Sequence, residues 1–497
     1  MINPAAAGRA AILLLLTGCT PPAVVATPTA HSVFTPNPLV AQLESIFDEP
    51  SLAHARIGVQ VRSISTGEVI YERDAERLLT PASNQKILSG AAALETLGPE
   101  YRYRTSILAG GETRAGVLNG PLVIVGTGDP SFGARFHDDP VAPFRAWADS
   151  LRAHGITRIA GGVIAVDTAF ADGYLGEGWM WDDLGGNSSS EFGALQFNDG
   201  LIDLDVFPSS TIGQPGVVVL TPATQFLRIV NETTTVPAGG SSSIRADRTS
   251  PGSFVLRGTV AAGSQGVSRS VAVGEPGLYF ASVLRETLRE QGIAVEGPPV
   301  HYSQVGLESA SINRAFPIFA YSSPPMREIL TAMMKPSQNQ IAETLLRTVG
   351  REIGGSGTAV RGAGIVDSLF AAWEFENTQL RMADGSGLSR YDLVSPALLT
   401  ELLLRMDRSF YRDDWLASMP VGGRDGTLEN RMKNPPLLDN VLAKTGSLSN
   451  VRALSGYLTT QTGERLAFSI IANGYLAPTA EVDRVVEAAL SLIATSR

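Results

Sequence analysis

Three short groups of residues in this chain have the types and spacing that nucleophilic acyl chemistry uses. The first is Ser83-Asn84-Gln85-Lys86. A serine and a lysine three apart at a helix start share one face, about 5–6 Å apart at Cβ. The helix N-terminus adds unpaired N–H groups and partial positive charge, which favour an oxyanion nearby. A lysine held there in a crowded, partly desolvated site gives up its proton more easily and becomes a base for the serine hydroxyl. The second group is Ser337-Gln338-Asn339, where a hydroxyl can relay a proton and an amide can hold a substrate amide. The third is Lys444-Thr445-Gly446 with Ser447 behind it. Its lysine and hydroxyls suit a carboxylate, and Gly446 would let a ligand backbone approach closely.

Each group alone has a plain structural alternative: a capping serine beside an unrelated surface lysine, an ordinary helix cap, a polar strand entry. The use of lysine argues against coincidence. Of 39 lysines and arginines, only Lys86, Lys335, Lys433 and Lys444 are lysines. Arginine does not lose its proton in a protein, so lysine is retained where a neutral amine is needed. Two of these lysines lie within the motifs, and Lys335 lies two residues before Ser337. Histidine gives an independent check. His31, His54, His137, His154 and His301 are the whole set, and none lies between Tyr302 and Arg497. A Ser–His–Asp triad is therefore not expected. With no H-E-x-x-H and a single cysteine, a zinc peptidase is not expected either.

The elements that must position these groups are legible in part. Ser83 to Leu97 reads as a helix, with Pro81 ahead of it, a stripe of Ile87, Leu88, Ala91, Leu94 and Leu97, and a stop at Gly98-Pro99. Arg56 to Ser63 and Glu68 to Tyr71 form a hairpin around Ser65-Thr66-Gly67. A short helix from Pro38 to Asp48 precedes it. From about Tyr103 to Gln304 the texture changes to short strand-like runs, with one strand–helix–strand unit (Pro121–Val125, Val141–Ala153, Gly161–Val166). Asn187–Ser190 and Gly239–Ser243 read as loops. Helical texture returns at Pro325–Thr348 and Pro396–Met406. Strands Val451–Thr459 and Arg465–Ala472 and a helix Glu481–Ala494 complete the pattern. Strands at both ends with helices between them predict one domain, residues 38–103 and 305–497, split by an insert, 104–304, of two nested subdomains. The chain's 497 residues suit two or three domains.

The order S-x-x-K, S-x-N, K-T-G resembles the penicillin-binding protein/β-lactamase superfamily. The chain is more similar still to the low-molecular-mass class C penicillin-binding proteins, which are D-alanyl-D-alanine carboxypeptidases/endopeptidases. Further stretches carry that likeness: Thr80-Pro81-Ala82-Ser83, Gly126-Thr127-Gly128-Asp129-Pro130, Asp384-Gly385-Ser386-Gly387-Leu388-Ser389-Arg390, Asp425-Gly426-Thr427-Leu428, and Ala443 to Leu448 leading to Ala453-Leu454-Ser455-Gly456-Tyr457. The long gap from Ser83 to Ser337 also fits, since that family places extra domains there. The resemblance implies an α/β (α+β) fold, with an antiparallel sheet flanked by helices and split by a large, mainly β insert. It implies that Ser83 attacks the penultimate D-alanine carbonyl of a peptidoglycan stem peptide and that Lys86 takes the serine proton. It further implies Ser337 as relay to the leaving amine and Lys444 as a source of positive potential. Backbone N–H groups of Ser83 and Ser447 would form the oxyanion hole. Asn339 would hold the substrate amide, and Thr445 with Ser447 its carboxylate. Penicillins would acylate Ser83, and no metal, nucleotide or other cofactor would be needed. Three positions depart from the family's usual residues: Gln338 for Asp or Asn, Asp392 for Asn, and Asn450 for Gly. The alternatives are a β-lactamase of the same superfamily, or a non-catalytic envelope lipoprotein that binds peptidoglycan.

The first residues read as targeting rather than fold. Arg9 precedes the apolar run Ala10–Leu16, which is too short to span a bilayer, and Leu16-Thr17-Gly18-Cys19 resembles a lipobox. This predicts a signal peptide at 1–18 and a lipid on Cys19, the sole cysteine, which leaves no internal disulfide. A proline-bearing tether, 19–37, would hold the globular part off the membrane. The predicted location is the periplasmic side of a bacterial cell envelope. The formal charge of −10 argues against a nucleic-acid partner.

Overall fold

The structure is a computed structural model that describes residues 38–375 and 377–496. The signal segment, Cys19 and the tether lie outside the described residues. Among the described residues no helix is long and apolar enough to cross a membrane.

The two ends of the chain build one five-stranded antiparallel sheet. Its order is Val69–Arg73, Arg56–Ser63, Arg465–Asn473, Val451–Thr459, Leu442–Leu448. The period of two in these strands sends alternate side chains to opposite faces. Phe468, Ile470 and Ala472 face a core shared with the helices Pro38–Phe47 and Thr479–Thr495. Ala467 and Ile471 face the other core, shared with the helices Gln85–Leu97, Met326–Met334, Asn339–Gly354 and Pro396–Asp407. The sheet is thus covered on both faces, which gives the α/β arrangement expected from the motifs.

Pro336 explains why the helical texture after Pro325 breaks. A proline lacks the N–H that a continuing helix needs. Ser337 then takes a left-handed backbone (φ 65), and Gln338 caps the next helix by accepting from Gln340 N at 2.7 Å. Gln338 thus fills, with a longer side chain, the capping role that Asp or Asn would fill.

Between the two halves lies a block built around a mixed sheet, ordered Pro299–His301, Val163–Val166, Leu122–Val125, Arg104–Ala109, Phe316–Ser322. Smaller three-stranded sheets (Val217–Thr221, Leu201–Phe207, Val267–Ala272; Arg228–Val236, Ser253–Ala261, Ser243–Ser250) share one apolar cluster with it. By strand pairing the return crossing falls later than residue 305, because Phe316–Ser322 pairs with Arg104–Ala109. Tyr103 and Ser323 mark the crossing: Tyr103 N donates to Ser323 Oγ, and Ser323 N to the Tyr103 carbonyl. The block also holds a helix, Pro276–Glu290, besides Ala142–Ala153. Its apolar residues at helical spacing (Phe280, Val283, Leu284, Leu288) were obscured by the strand-like composition around them.

Candidate active site

Ser83 lies in a 3-10 turn, Ala82–Asn84, that leads into the Gln85–Leu97 helix. Ala82 just before it takes φ 48, an uncommon conformation for a residue with a side chain. Gly387 packs against the Ala82 carbonyl so tightly that any side chain there would collide with it. Lys86, one turn into the structure, is fully buried. Its Nζ lies 2.9 Å from Ser83 Oγ, 2.6 Å from Asn339 Oδ1 and 2.7 Å from the Ser386 carbonyl. An ammonium donates to all three. A neutral amine keeps two N–H donors and one lone pair. The amide and carbonyl oxygens can only accept, so the lone pair is left for the Ser83 hydroxyl.

Burial pulls the Lys86 ammonium down from its ordinary value to about 7, while Asp384, Glu343 and Asp392 oppose that fall. None of these three carboxylates was assigned a role from sequence. Glu343 is fully buried, and Oε1 accepts from Gly385 N (3.1 Å) and Ser386 N (2.9 Å). Burial and Asp384 raise its pKa, and Arg347 (Nη1 to Oε2, 2.8 Å) pulls it back. Asp384 gathers the N–H groups of Ser386, Gly387 and Ser389 into a tight loop. Asp392 closes that loop from behind by accepting from Ala383 N and Asp384 N, and burial beside Asp384 holds its carboxyl well above the usual range. Helical spacing was a usable signal for part of this: Asn339, Glu343 and Arg347 recur at four-residue steps on one helix face.

Lys444 is the second buried lysine. Its Nζ donates to Ser337 Oγ (2.7 Å) and to the Thr445 carbonyl (2.8 Å), and burial together with the Lys86 cation pushes its pKa well below the ordinary value. Asn84 ties the two motifs together: Nδ2 donates to the Lys444 carbonyl at 2.8 Å and Oδ1 accepts from Ser455 Oγ at 2.6 Å. Thr445 Oγ1 bonds Thr427 Oγ1 at 2.8 Å, and Ser447 is exposed on the same strand. Gly446 does accept a close approach, but from this chain: a Cβ there would meet the Pro81 carbonyl and Ala82. The glycine brings the Ser83 turn against the strand, whereas sequence reasoning reserved that space for a ligand. Lys335, suspected from its position, donates to Asp425 Oδ2 (2.6 Å) and Met419 O (3.0 Å), and its carbonyl accepts from Thr427 N. It fastens the Asp425–Thr427 loop. Asn450 adopts φ 63 in the hairpin after Leu448, and its Nδ2 donates to the Tyr475 carbonyl. Asparagine tolerates that left-handed conformation, which explains how it replaces glycine.

The structure therefore gathers Ser83, Lys86, Ser337, Asn339, Lys444 and Thr445 around one site, with Ser447 at its exposed edge. Comparison with known proteins gives the family. The model of the D-Ala-D-Ala carboxypeptidase 3 (S13) family matches residues 39–496, and the chain belongs to that family. It is a peptidase of the D-alanyl-D-alanine carboxypeptidase type. A D-alanyl-D-alanine carboxypeptidase of Actinomadura sp. is 33% identical over 451 residues, covering 88% of this chain and 81% of the relative. The D-alanyl-D-alanine carboxypeptidase DacB of Haemophilus influenzae is 26% identical over 85% of this chain and 86% of its own. The solved structure of penicillin binding protein 4 (dacB) from Haemophilus influenzae superposes with a TM-score of 0.79 at 24% identity, over 91% of this chain and 99% of that one. It shares the fold.

Proposed function

We propose that the gathered groups act as a serine D-Ala-D-Ala carboxypeptidase/endopeptidase on peptidoglycan stem peptides, through an acyl-enzyme on Ser83. The observation that carries this is the Lys86 amine, buried, 2.9 Å from Ser83 Oγ, with its other two partners able only to accept. Lys86 takes the hydroxyl proton as Ser83 Oγ bonds the penultimate D-alanine carbonyl carbon. The N–H groups of Ser83 and Ser447 stabilise the oxyanion. Ser337, bonded to Lys444, passes a proton to the departing D-alanine amine as the peptide bond breaks. Water then adds to the acyl carbon and regenerates Ser83. Asn339 holds the substrate amide, and Thr445, Ser447 and Lys444 hold its carboxylate. Neither metal nor nucleotide enters these steps. The catalytic unit is residues 38–103 together with the chain from Ser323 onward, with the insert between its halves.

A β-lactam presents the same carbonyl and keeps its leaving amine attached, so the acyl-enzyme is long-lived. Penicillin binding protein 4 from Haemophilus influenzae has been solved in complex with a β-lactam, which supports this reading. Leu16-Thr17-Gly18-Cys19 supports a lipid on Cys19 and attachment on the periplasmic side of the envelope. Cys19→Ala should move the protein from the membrane to the soluble fraction. The deciding experiment is intact mass spectrometry of residues 32–497 after incubation with benzylpenicillin. One stable adduct, absent in Ser83→Ala, is expected; no adduct and no penicillin hydrolysis would overturn the assignment.

A further inference from the structure

We propose that the insert segment 172–188 is a positioning element for the Lys86 base, acting through Asp172, Trp179 and the Ser188 backbone. The inference rests on the reading of Ser83 and Lys86 given above. Three routes run from this one segment to the acceptors around Lys86 Nζ. Asp172 Oδ1 accepts from Arg347 Nε at 2.8 Å while Oδ2 accepts from Ala359 N at 2.6 Å. Arg347 is buried over the Phe192 ring and donates to Glu343, which holds the N–H groups of Gly385 and Ser386. The Ser386 carbonyl is the Lys86 acceptor at 2.7 Å. Secondly, Trp179 Nε1 donates to Asp384 Oδ2 at 2.9 Å, and Asp384 ties together the same loop. Thirdly, the Ser188 carbonyl accepts from Asn339 Nδ2 at 2.6 Å, which fixes the amide whose oxygen meets Lys86.

These contacts hold a loop that no strand or helix orders. Residues 384–389 keep their shape through side-chain carboxylates that accept backbone N–H bonds. Two carboxylates flank the buried Arg347, so removing one leaves a poorly balanced interior charge. The amine that must meet Ser83 is thus aimed partly by a segment far away in sequence. The charged groups that face Lys86 are Glu343 from its helix, Asp384 and Asp392 from the loop, and Lys444 from the sheet.

The test is the rate of acylation by a fluorescent penicillin, followed from about pH 5 to 9, for wild type, Asp172→Asn, Asp172→Glu and Trp179→Phe. Asp172→Asn should slow acylation about tenfold or more, since small displacements of a catalytic group are costly. Its acid limb should move to higher pH, because a loosened loop admits water to Lys86 and burial is what holds that amine down. Asp172→Glu should recover part of the rate. Trp179→Phe keeps an aromatic side chain, smaller than the indole, and removes the N–H, so it should fold and shift the same limb by less. Wild-type rates with an unmoved limb in both Asp172→Asn and Trp179→Phe would overturn the inference. So would slowing of Asp172→Asn that tracks only its folded fraction, with Trp179→Phe unchanged. A wild type that forms no adduct would instead overturn the assignment of Ser83.

Discussion

Lys86 and Lys444 are both fully buried in one site, yet their surroundings are opposite. Lys86 sits against a helix and a loop that bring Glu343, Asp384 and Asp392 within electrostatic reach. Lys444 sits on a strand among hydroxyl and carbonyl oxygens, and the charge acting on it is the Lys86 cation. Burial disfavours both ammonium forms, but only Lys86 has carboxyl groups beside it whose ionised forms offset that. The anions leave Lys86 near about 7, where a base can both take and release a proton at neutral pH. Lys444 is also pushed well below its ordinary value, and an arriving carboxylate is what would restore its charge. In the proposed reaction one lysine transfers a proton and the other receives an anion.

Four changes would break or sharpen that contrast. Lys86→Arg should lower the acylation rate constant by about 10²–10⁴-fold, since a guanidinium cannot act as the base. Near-wild-type acylation in that variant would erase the distinction between the two sites. Lys444→Ala should cost roughly thirtyfold in kcat/KM for a peptide ending in a free carboxylate, the value of a charged hydrogen bond. An equal loss for the same peptide with an amidated C-terminus would show that Lys444 does not read the carboxylate. Glu343→Gln should carry the acid limb of acylation to lower pH, because removing an anion that favours the Lys86 ammonium eases its deprotonation. An unmoved limb would take Glu343 out of the tuning.

Asp392→Asn tests the same cluster through stability. The Asp392 carboxyl is raised in the folded protein, so the folded state binds the proton more tightly than the unfolded chain. Above the unfolded carboxylate value its contribution falls as pH rises. Asparagine does not titrate, so the variant's stability relative to wild type should grow with pH, by on the order of 1 kcal/mol in urea denaturation between pH 5 and 8. A pH-independent difference would remove Asp392 from the buried charge balance.

Some of this was legible without coordinates. The Ser83–Lys86 spacing and the Lys444 strand are local, and helix period and strand alternation declare them; the break at Pro336 is also local, but the helical texture on either side of it reads as continuous. The retention of lysine at Lys86 and Lys444 amid arginine pointed to the chemistry. Other parts had no local signature. Asp384 and Asp392 matter because a loop folds back behind a helix more than 290 residues earlier in the chain, as the Lys86–Ser386 bond shows. Gly446 looked like space for a ligand, and only packing reveals that Pro81 fills it. The insert read as a separate block, and only tertiary contacts bring Asp172, Trp179 and Ser188 to the Asn339 helix and the Asp384 loop.

The sequence by itself determined which groups are candidates for the chemistry and the reaction class they suit, because those properties reside in residue type and in spacing within one element. Tertiary structure alone decided how strongly each group is tuned and what aims it. A pKa depends on burial and on charges through space, and a carbonyl's direction depends on whatever holds its loop.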